Sequence, residues 1–181
     1  RQGVGDGSNM FHYYRLTRDD RILWGGYDAV YHYGSRIHAT LEQRGPTHER
    51  LARHFFETFP QLRGLTFTHR WAGVIDTSTR FTAFYGTAYD GRVGYALGYT
   101  GLGVAATRFS ADVLLDLLDG EDTERTRLRM VRERPLPFPP EPLRSAGIAM
   151  TRRSLARADA NGGRRNLWLR GLDRFGLGFD S

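Results

Sequence analysis

Residues 98–120 read GYTGLGVAATRFSADVLLDLLDG, and this stretch decides the fold. Gly98, Gly101 and Gly103 follow an apolar run and open directly into an amphipathic helix, expected over about 104–118. On it Ala106, Phe109, Val113 and Leu117 recur on one face, and Gly120 suits the C-terminal end. Glycine lets a backbone take unusual dihedrals and come close to a ligand. A helix start offers unpaired N–H groups and a partial positive charge. Together they make a place for an anion or an electron-rich edge. The spacing is Gly-x-x-Gly-x-Gly, not the Gly-x-Gly-x-x-Gly of dinucleotide binding, so the glycines alone do not define a nucleotide site. On spacing alone, a tight strand-to-helix turn is the plainer reading.

Working upstream, Asp90-Gly91 is a strong turn signal, and residues 81–89 and 92–98 read as a hairpin about it. Residues 64–75, GLTFTHRWAGVI, read as a strand. Leu51, Phe55, Phe59 and Leu62 share one helical face over about 47–59. Thr47 is the expected N-cap, Glu49 sits in the first turn, and Pro60 stops the helix. Residues 10–17 and 21–26 read as a first hairpin, and 27–34, YDAVYHYG, continue extended. Downstream, 121–134 is a charged run, and LPFPPEPL at 136–143 is extended by its prolines. Ser145 is the expected cap of a helix to about Ala160, closed by Gly162-Gly163. A last helix over 164–175 uses Leu167, Trp168, Leu172 and Phe175. There is no internal repeat. Hairpin signals outnumber strand–helix alternations, so the fold class is α+β with a mainly antiparallel sheet and flanking helices.

With 181 residues, the chain suits one ordinary domain or part of a larger protein. It begins at Arg1, and Met10 lies inside a strand-like run, which reads as a fragment lacking its natural N-terminus. No apolar run approaches a membrane span and no signal peptide is visible, so a cytoplasmic location is expected. Without cysteine there is no disulfide, cysteine nucleophile or thiolate metal site. All 26 basic residues are arginine, which excludes lysine chemistry and points to GC-rich coding DNA. The net charge of +6 sits in the tail: residues 121–181 hold 13 arginines against 8 acids, while residues 1–120 hold 13 against 12. A solvated arginine surface, or a face pairing with an acidic domain, explains this more readily than nucleic-acid binding.

The six histidines, His12, His32, His38, His48, His54 and His69, form no metal-ligand spacing, so no metal is expected. His69, between Thr68 and Arg70, reads first as a packed, hydrogen-bonded side chain. No nucleophile elbow or phosphate loop is present. Tyr13, Tyr14, Trp24, Tyr27, Tyr31 and Tyr33 crowd one stretch. A packed sheet face accounts for most of them; a wall over a flat ring system would account for the tyrosine hydroxyls. Arg80, after Asp76-Thr-Ser-Thr, is either a surface arginine or a fork for a carboxylate. Arg80, Trp71, Tyr27 and Trp24 are the candidates for substrate contact.

The succession YYRLTRDDRILWGG, ARHFFETFPQL, THRWAGVIDTSTR and DGRVGYALGYTGLGVAATRFSADVLLDLL resembles the C-terminal part of FAD-dependent oxidoreductases of the D-amino-acid oxidase type. The PFPPEPLR stretch and arginine-rich end are similar to tails in a high-GC bacterial subgroup. The resemblance implies a substrate-binding domain over 1–89, the last strand, glycine turn and helix of the FAD-binding domain over 90–120, and a connector with an arginine-rich helical tail over 121–181. It also implies that Gly98, Tyr99, Thr100, Gly101, Leu102, Gly103 and Val104 contact or flank a non-covalent FAD, the helix start facing the pyrimidine edge of the flavin. Many such proteins have histidine where Leu102 stands, and some tether the flavin through a cysteine near Ile75–Asp76, which this chain cannot do. The ADP-binding fingerprint is absent here, so the isolated chain is expected to be inactive and the missing N-terminal half to be its partner. The resemblance thus implies oxidation of a C–N bond in an amine or amino acid, with electrons passing to oxygen or a carrier and no dedicated general base. Exposed surface that the missing half would cover is a route to homo-oligomers. The alternative is a non-enzymatic binding domain whose basic tail contacts an acidic partner or nucleic acid.

Overall fold

The structure, a computed structural model, describes residues 2–43 and 45–177. It divides into two compact units. Of the described residues, the first comprises 2–74 and 141–171, and the second 75–140 and 172–177.

In the first unit, β1 (Val4–Gly5), β2 (His12–Leu16) and β3 (Ile22–Gly26) form an antiparallel sheet in that order. The β2–β3 register pairs Tyr14 with Trp24 and His12 with Gly26. Strand alternation puts His12 and Tyr14 on one face, half-buried, while Tyr13 and Arg15 are exposed on the other. Helix α1 (Gly45–Thr58) covers the half-buried face. Its Phe55 is fully buried, and Trp24 meets Phe55 and Phe59 edge-on at 5.7 and 5.8 Å. This is the face predicted from residues 51, 55, 59 and 62. The helix begins two residues before Thr47, whose hydroxyl donates to Asp28 at 3.4 Å and so does not cap it. Pro46 fits in the first turn because its missing N–H has no helical partner there anyway. The helix ends before Pro60, as expected.

Two stretches expected to be extended differ. Residues 63–76 form no strand and are exposed throughout, because among the described residues none supplies a neighbouring strand to take their backbone hydrogen bonds. Residues 27–34 leave the sheet at once: Tyr27 has φ 63°, and a 3₁₀ turn follows at Tyr33–Ser35. Helix α5 (Leu143–Ala160) starts before Ser145. The capping role falls instead to Glu141, whose Oε2 accepts the Ser145 N–H at 3.1 Å and hydroxyl at 2.6 Å. In α6 (Leu167–Arg174), Leu169 is the buried residue, while Leu167 and Phe175 are exposed. The expected apolar face was therefore misplaced. Asn166 accepts the Leu169 N–H at 3.0 Å and fixes the helix start.

In the second unit, β4 (Phe84–Ala88) and β5 (Val93–Leu97) form the expected hairpin around Asp90-Gly91. Helix α2 (Gly103–Asp119) packs on it, and Gly120 ends the helix at φ 73°. Ala83, Tyr85, Val113 and Val131 make the core, joined by Phe109 and Leu117 from the predicted face. Among the described residues the antiparallel content is two small sheets, compatible with the expected α+β class. Val113 is wholly buried. Val113→Ala is expected to lower the unfolding free energy by about 2 kcal/mol through two lost methyl contacts and the cavity left behind. A lower urea midpoint at unchanged slope is the measurement.

The charged run contains two short helices the sequence reading left out, α3 (Glu124–Arg127) and α4 (Arg129–Arg132). Thr123 and Thr126 form a reciprocal capping box. Arg125 grips Asp116 through two nitrogens at 2.9 and 3.0 Å. Arg127 pairs with Asp122 and Arg129 with Glu133. Arg127 and Arg129 therefore pair with acids of their own segment and Arg125 with Asp116 of α2, which weakens the case for a bare basic surface.

Candidate functional site

The glycine turn between β5 and α2 lies within the second unit and is held by the loop at Asp76. The Asp76 carboxylate accepts the Gly98 N–H at 2.7 Å, its backbone carbonyl accepts the Thr100 N–H at 2.8 Å, and Thr77 pairs with Tyr99 in an isolated bridge. The backbone then passes through the left-handed region at Gly98 (φ 74°), Thr100 (φ 52°) and Gly101 (φ 85°). Leu102 donates its N–H to Tyr99 at 2.9 Å, and the helix begins at Gly103.

The three glycines are required for different reasons. A Cβ on Gly98 would meet Ser78 at 3.0 Å and Phe84 at 3.1 Å, so packing and φ both exclude a side chain. At Gly101 a Cβ would meet Ile75 at an ordinary 3.8 Å, so φ is what demands glycine. Gly103 has no positive φ, and a Cβ there would meet Tyr99 at an ordinary 3.6 Å. Among the described residues no close contact calls for glycine at 103. The first-turn N–H groups of α2 lack helical partners, and no side chain caps them. Leu102 is exposed, and Val104 is 97% exposed at the helix start. An open, apolar-flanked cradle at the positive end of a 17-residue helix fits a flat, electron-rich ring edge.

Sequence reasoning did not identify Asp76 as the residue that holds this turn. Its signal was the Asp-Thr-Ser-Thr cluster, a composition that favours side-chain-to-backbone turns. Arg80 belongs to the same unit, in a turn closed by the Phe81 N–H on the Ser78 carbonyl. It is half-buried and donates Nη2 to the Met130 carbonyl at 3.3 Å; its buried Nε has no hydrogen-bond partner among the described residues.

In the first unit, Trp24 and Tyr27 are brought together: both rings stack on the imidazole of His12, at 4.8 and 5.3 Å. The Trp24 indole donates to the Leu51 carbonyl at 3.0 Å, so its polar atom serves packing against α1. Trp71 stands apart, 64% exposed. His69 lies in the exposed stretch, its Nδ1 2.9 Å from the Thr68 hydroxyl.

His12 is the middle of a chain of polar contacts. Its Nδ1 lies 2.7 Å from the Asp6 carboxylate and its Nε2 lies 3.0 Å from His54 Nδ1. In the tautomer in which His12 Nδ1–H donates to Asp6, its Nε2 accepts from His54 Nδ1–H; in its charged form His12 repels a second charge at His54. Burial, then the nearby charges of His12, Arg53 and Arg50, push the His54 imidazole below its usual value of 6.5, against the opposing pull of Glu57. The unfolded chain therefore takes up this proton first, so stability is retained above about 6.5 and lost as pH falls toward the lowered folded value. The gap in melting temperature between the native protein and His54→Gln is expected to narrow between pH 7.5 and 5.5 (roughly spanning that window). An equal gap at both pH values would rule the linkage out.

The FAD dependent oxidoreductase family model matches residues 4–117. The chain belongs to this family, whose members depend on FAD. It is similar to gamma-glutamylputrescine oxidoreductase of Escherichia coli strain K12, 35% identical over 123 residues, covering 67% of this chain and 26% of that protein. It is also similar to the probable oxidoreductase OrdL of Haemophilus influenzae, 27% identical over 119 residues, covering 66% and 24%. OrdL of Rhizobium meliloti is 24% identical over 131 residues, covering 72% and 28%. The chain spans about a quarter of the length of these relatives. No solved structure matches it. Among the described residues no helix is long and apolar enough to cross a membrane, and no group of three or more histidine and acidic side chains is placed to hold a metal.

Proposed function

We propose that the protein to which this chain belongs oxidises a C–N bond of an amine or amino acid in the cytoplasm, with a non-covalent FAD held along Gly98–Val104. The observation that carries the reading is Gly103: a glycine opening α2 that no close contact among the described residues calls for, in a member of an FAD-dependent family. The gamma-glutamylputrescine oxidoreductase among its relatives supports the C–N bond as the target. In this reading Gly98–Val104 form the flavin turn, and Trp24, Tyr27 and Trp71 are proposed substrate contacts.

Gly98–Val104 would hold the FAD, which when bound would supply the two-electron oxidation of the C–N bond and re-oxidation by oxygen or a carrier. The chain's own work is positioning and electrostatics. The N–H groups at the start of α2 would favour negative charge on a ring edge placed against them. Asp76 holds Gly98 and Thr100 so that those groups keep their direction. Arg80 is the proposed partner for a substrate carboxylate.

The full-length protein, purified and desalted, is expected to be yellow, to release FAD on denaturation, and to lose its flavin colour anaerobically with an amine or amino acid. A colourless protein that neither retains nor rebinds FAD would overturn the reading.

A further inference from the structure

Residues 118–181 lie outside the family match, yet part of them belongs to the same compact unit as the aromatic segment after β3. That segment, Tyr27–Ser35, has few backbone bonds of its own. Tyr27 donates to Phe11, Asp28 to Gly26 and Ser35 to His32. Tyr27 and Ser35 both have positive φ, which side-chain-bearing residues adopt at a cost and keep only when their surroundings demand it. A loop so built samples several conformations unless other groups fix it.

Here two carboxylates fix it. Asp28, with its side chain 8% exposed, takes Arg50 of α1 on one oxygen at 2.9 Å and Arg152 of α5 on the other at 2.7 Å. Glu141 works from the other side. Its Oε1 accepts the Tyr31 hydroxyl at 2.5 Å and the Gly34 N–H at 3.1 Å, while its Oε2 caps the start of α5 through Ser145. One carboxylate therefore ties the loop to the helix. Burial pushes Glu141 up, but the donors from Ser145, Tyr31 and Gly34 outweigh it and hold the carboxyl at about 2. Arg144 adds a bond to the Ser35 hydroxyl at 3.0 Å. At the far end of α5, Asp159 accepts the Asn9 and Met10 N–H groups at 2.8 and 3.0 Å.

We propose that Glu141 and helix α5 form a clamp that holds Tyr27–Ser35 in one conformation, and that Glu141 and Arg152 are thereby positioning residues for substrate selection at Tyr27. The clamp itself rests on these contacts; its role in substrate selection rests on the proposed amine-oxidising function.

The test uses the full-length protein with Glu141→Gln, Arg152→Ala and the conservative Glu141→Asp, read by amide hydrogen exchange and steady-state kinetics. In the first two variants the amides of 28–35 are expected to exchange about tenfold faster while those of β2 and β3 keep their protection. KM for the amine substrate is expected to rise about fivefold, with kcat changing less. Glu141→Asp restores part of both. Should Glu141→Gln fail to fold, Tyr31→Phe removes a single hydroxyl from the same node and carries the same measurements. Unchanged exchange across 28–35 would overturn the clamp. Faster exchange with unchanged KM, or with kcat falling alone, would overturn its part in substrate selection. A native protein that turns over no amine would sink the oxidoreductase reading instead, and exchange alone then decides the clamp.

Discussion

Replacing Gly103 by valine is expected to strip most of the flavin from the folded full-length protein while leaving its thermal stability nearly unchanged. The backbone at 103 is not in the left-handed region, and the nearest atoms an added Cβ meets belong to the Tyr99 side chain, at an ordinary 3.6 Å. A β-branched residue in a helix costs only a few tenths of a kcal/mol to about 0.7. Folding therefore has little reason to reject it. A ligand lying close against the start of α2 has every reason to, because the side chain fills the space the ring must enter. Gly101→Val gives the contrast. There φ is 85°, so a branched side chain is strained by roughly 1–2 kcal/mol whether or not flavin binds. That variant is expected to lose stability and flavin together and is not informative alone. The measurement is FAD released per folded protein, set beside the melting temperature. Gly103→Val with full flavin occupancy would leave the glycines with no role beyond the turn.

The elements legible in the sequence were those specified locally. Asp90-Gly91 fixed the β4–β5 hairpin because the turn chemistry is contained within two residues. The face of α1 was readable because Phe55 and Phe59 are one turn apart and both meet Trp24. The stretch 64–75 has strand composition, but composition says nothing of whether a neighbouring strand exists. Among the described residues there is none, and Leu65, Trp71, Val74 and Ile75 stay exposed. Asp76 and Glu141 were missed for a related reason. Asp76 acts on Gly98, twenty-two residues away, and Glu141 on Tyr31, 110 residues away. Local patterns report faces and turns, whereas these carboxylates gain their roles only when distant segments meet. Trp24 shows the limit from the other side. Its aromatic ring was legible as a candidate binding surface, and its position packs it against α1 with its N–H on Leu51.

Arg80→Leu is expected to raise KM for a substrate bearing a carboxylate by about tenfold or more, and to leave a neutral amine analogue nearly unaffected. Losing one side of a buried, charge-assisted pair costs on the order of 2–5 kcal/mol. Arg80 is only half-buried and already spends one nitrogen on the Met130 carbonyl, so the lower end applies. At 1.4 kcal/mol per tenfold, even that end gives roughly tenfold to a few tens. The competing role is structural. The bond to Met130 joins the turn at Ser78–Phe81 to α4, and leucine removes it. That loss amounts to about 1 kcal/mol of stability and acts on every substrate alike. The two roles therefore separate in one comparison: a carboxylate substrate and its neutral analogue, measured on the same variant, with its urea midpoint alongside. A KM change confined to the carboxylate substrate assigns the guanidinium to recognition. Equal changes for both substrates, tracking the lowered midpoint, would remove Arg80 from the site and leave it as the tie between that turn and α4.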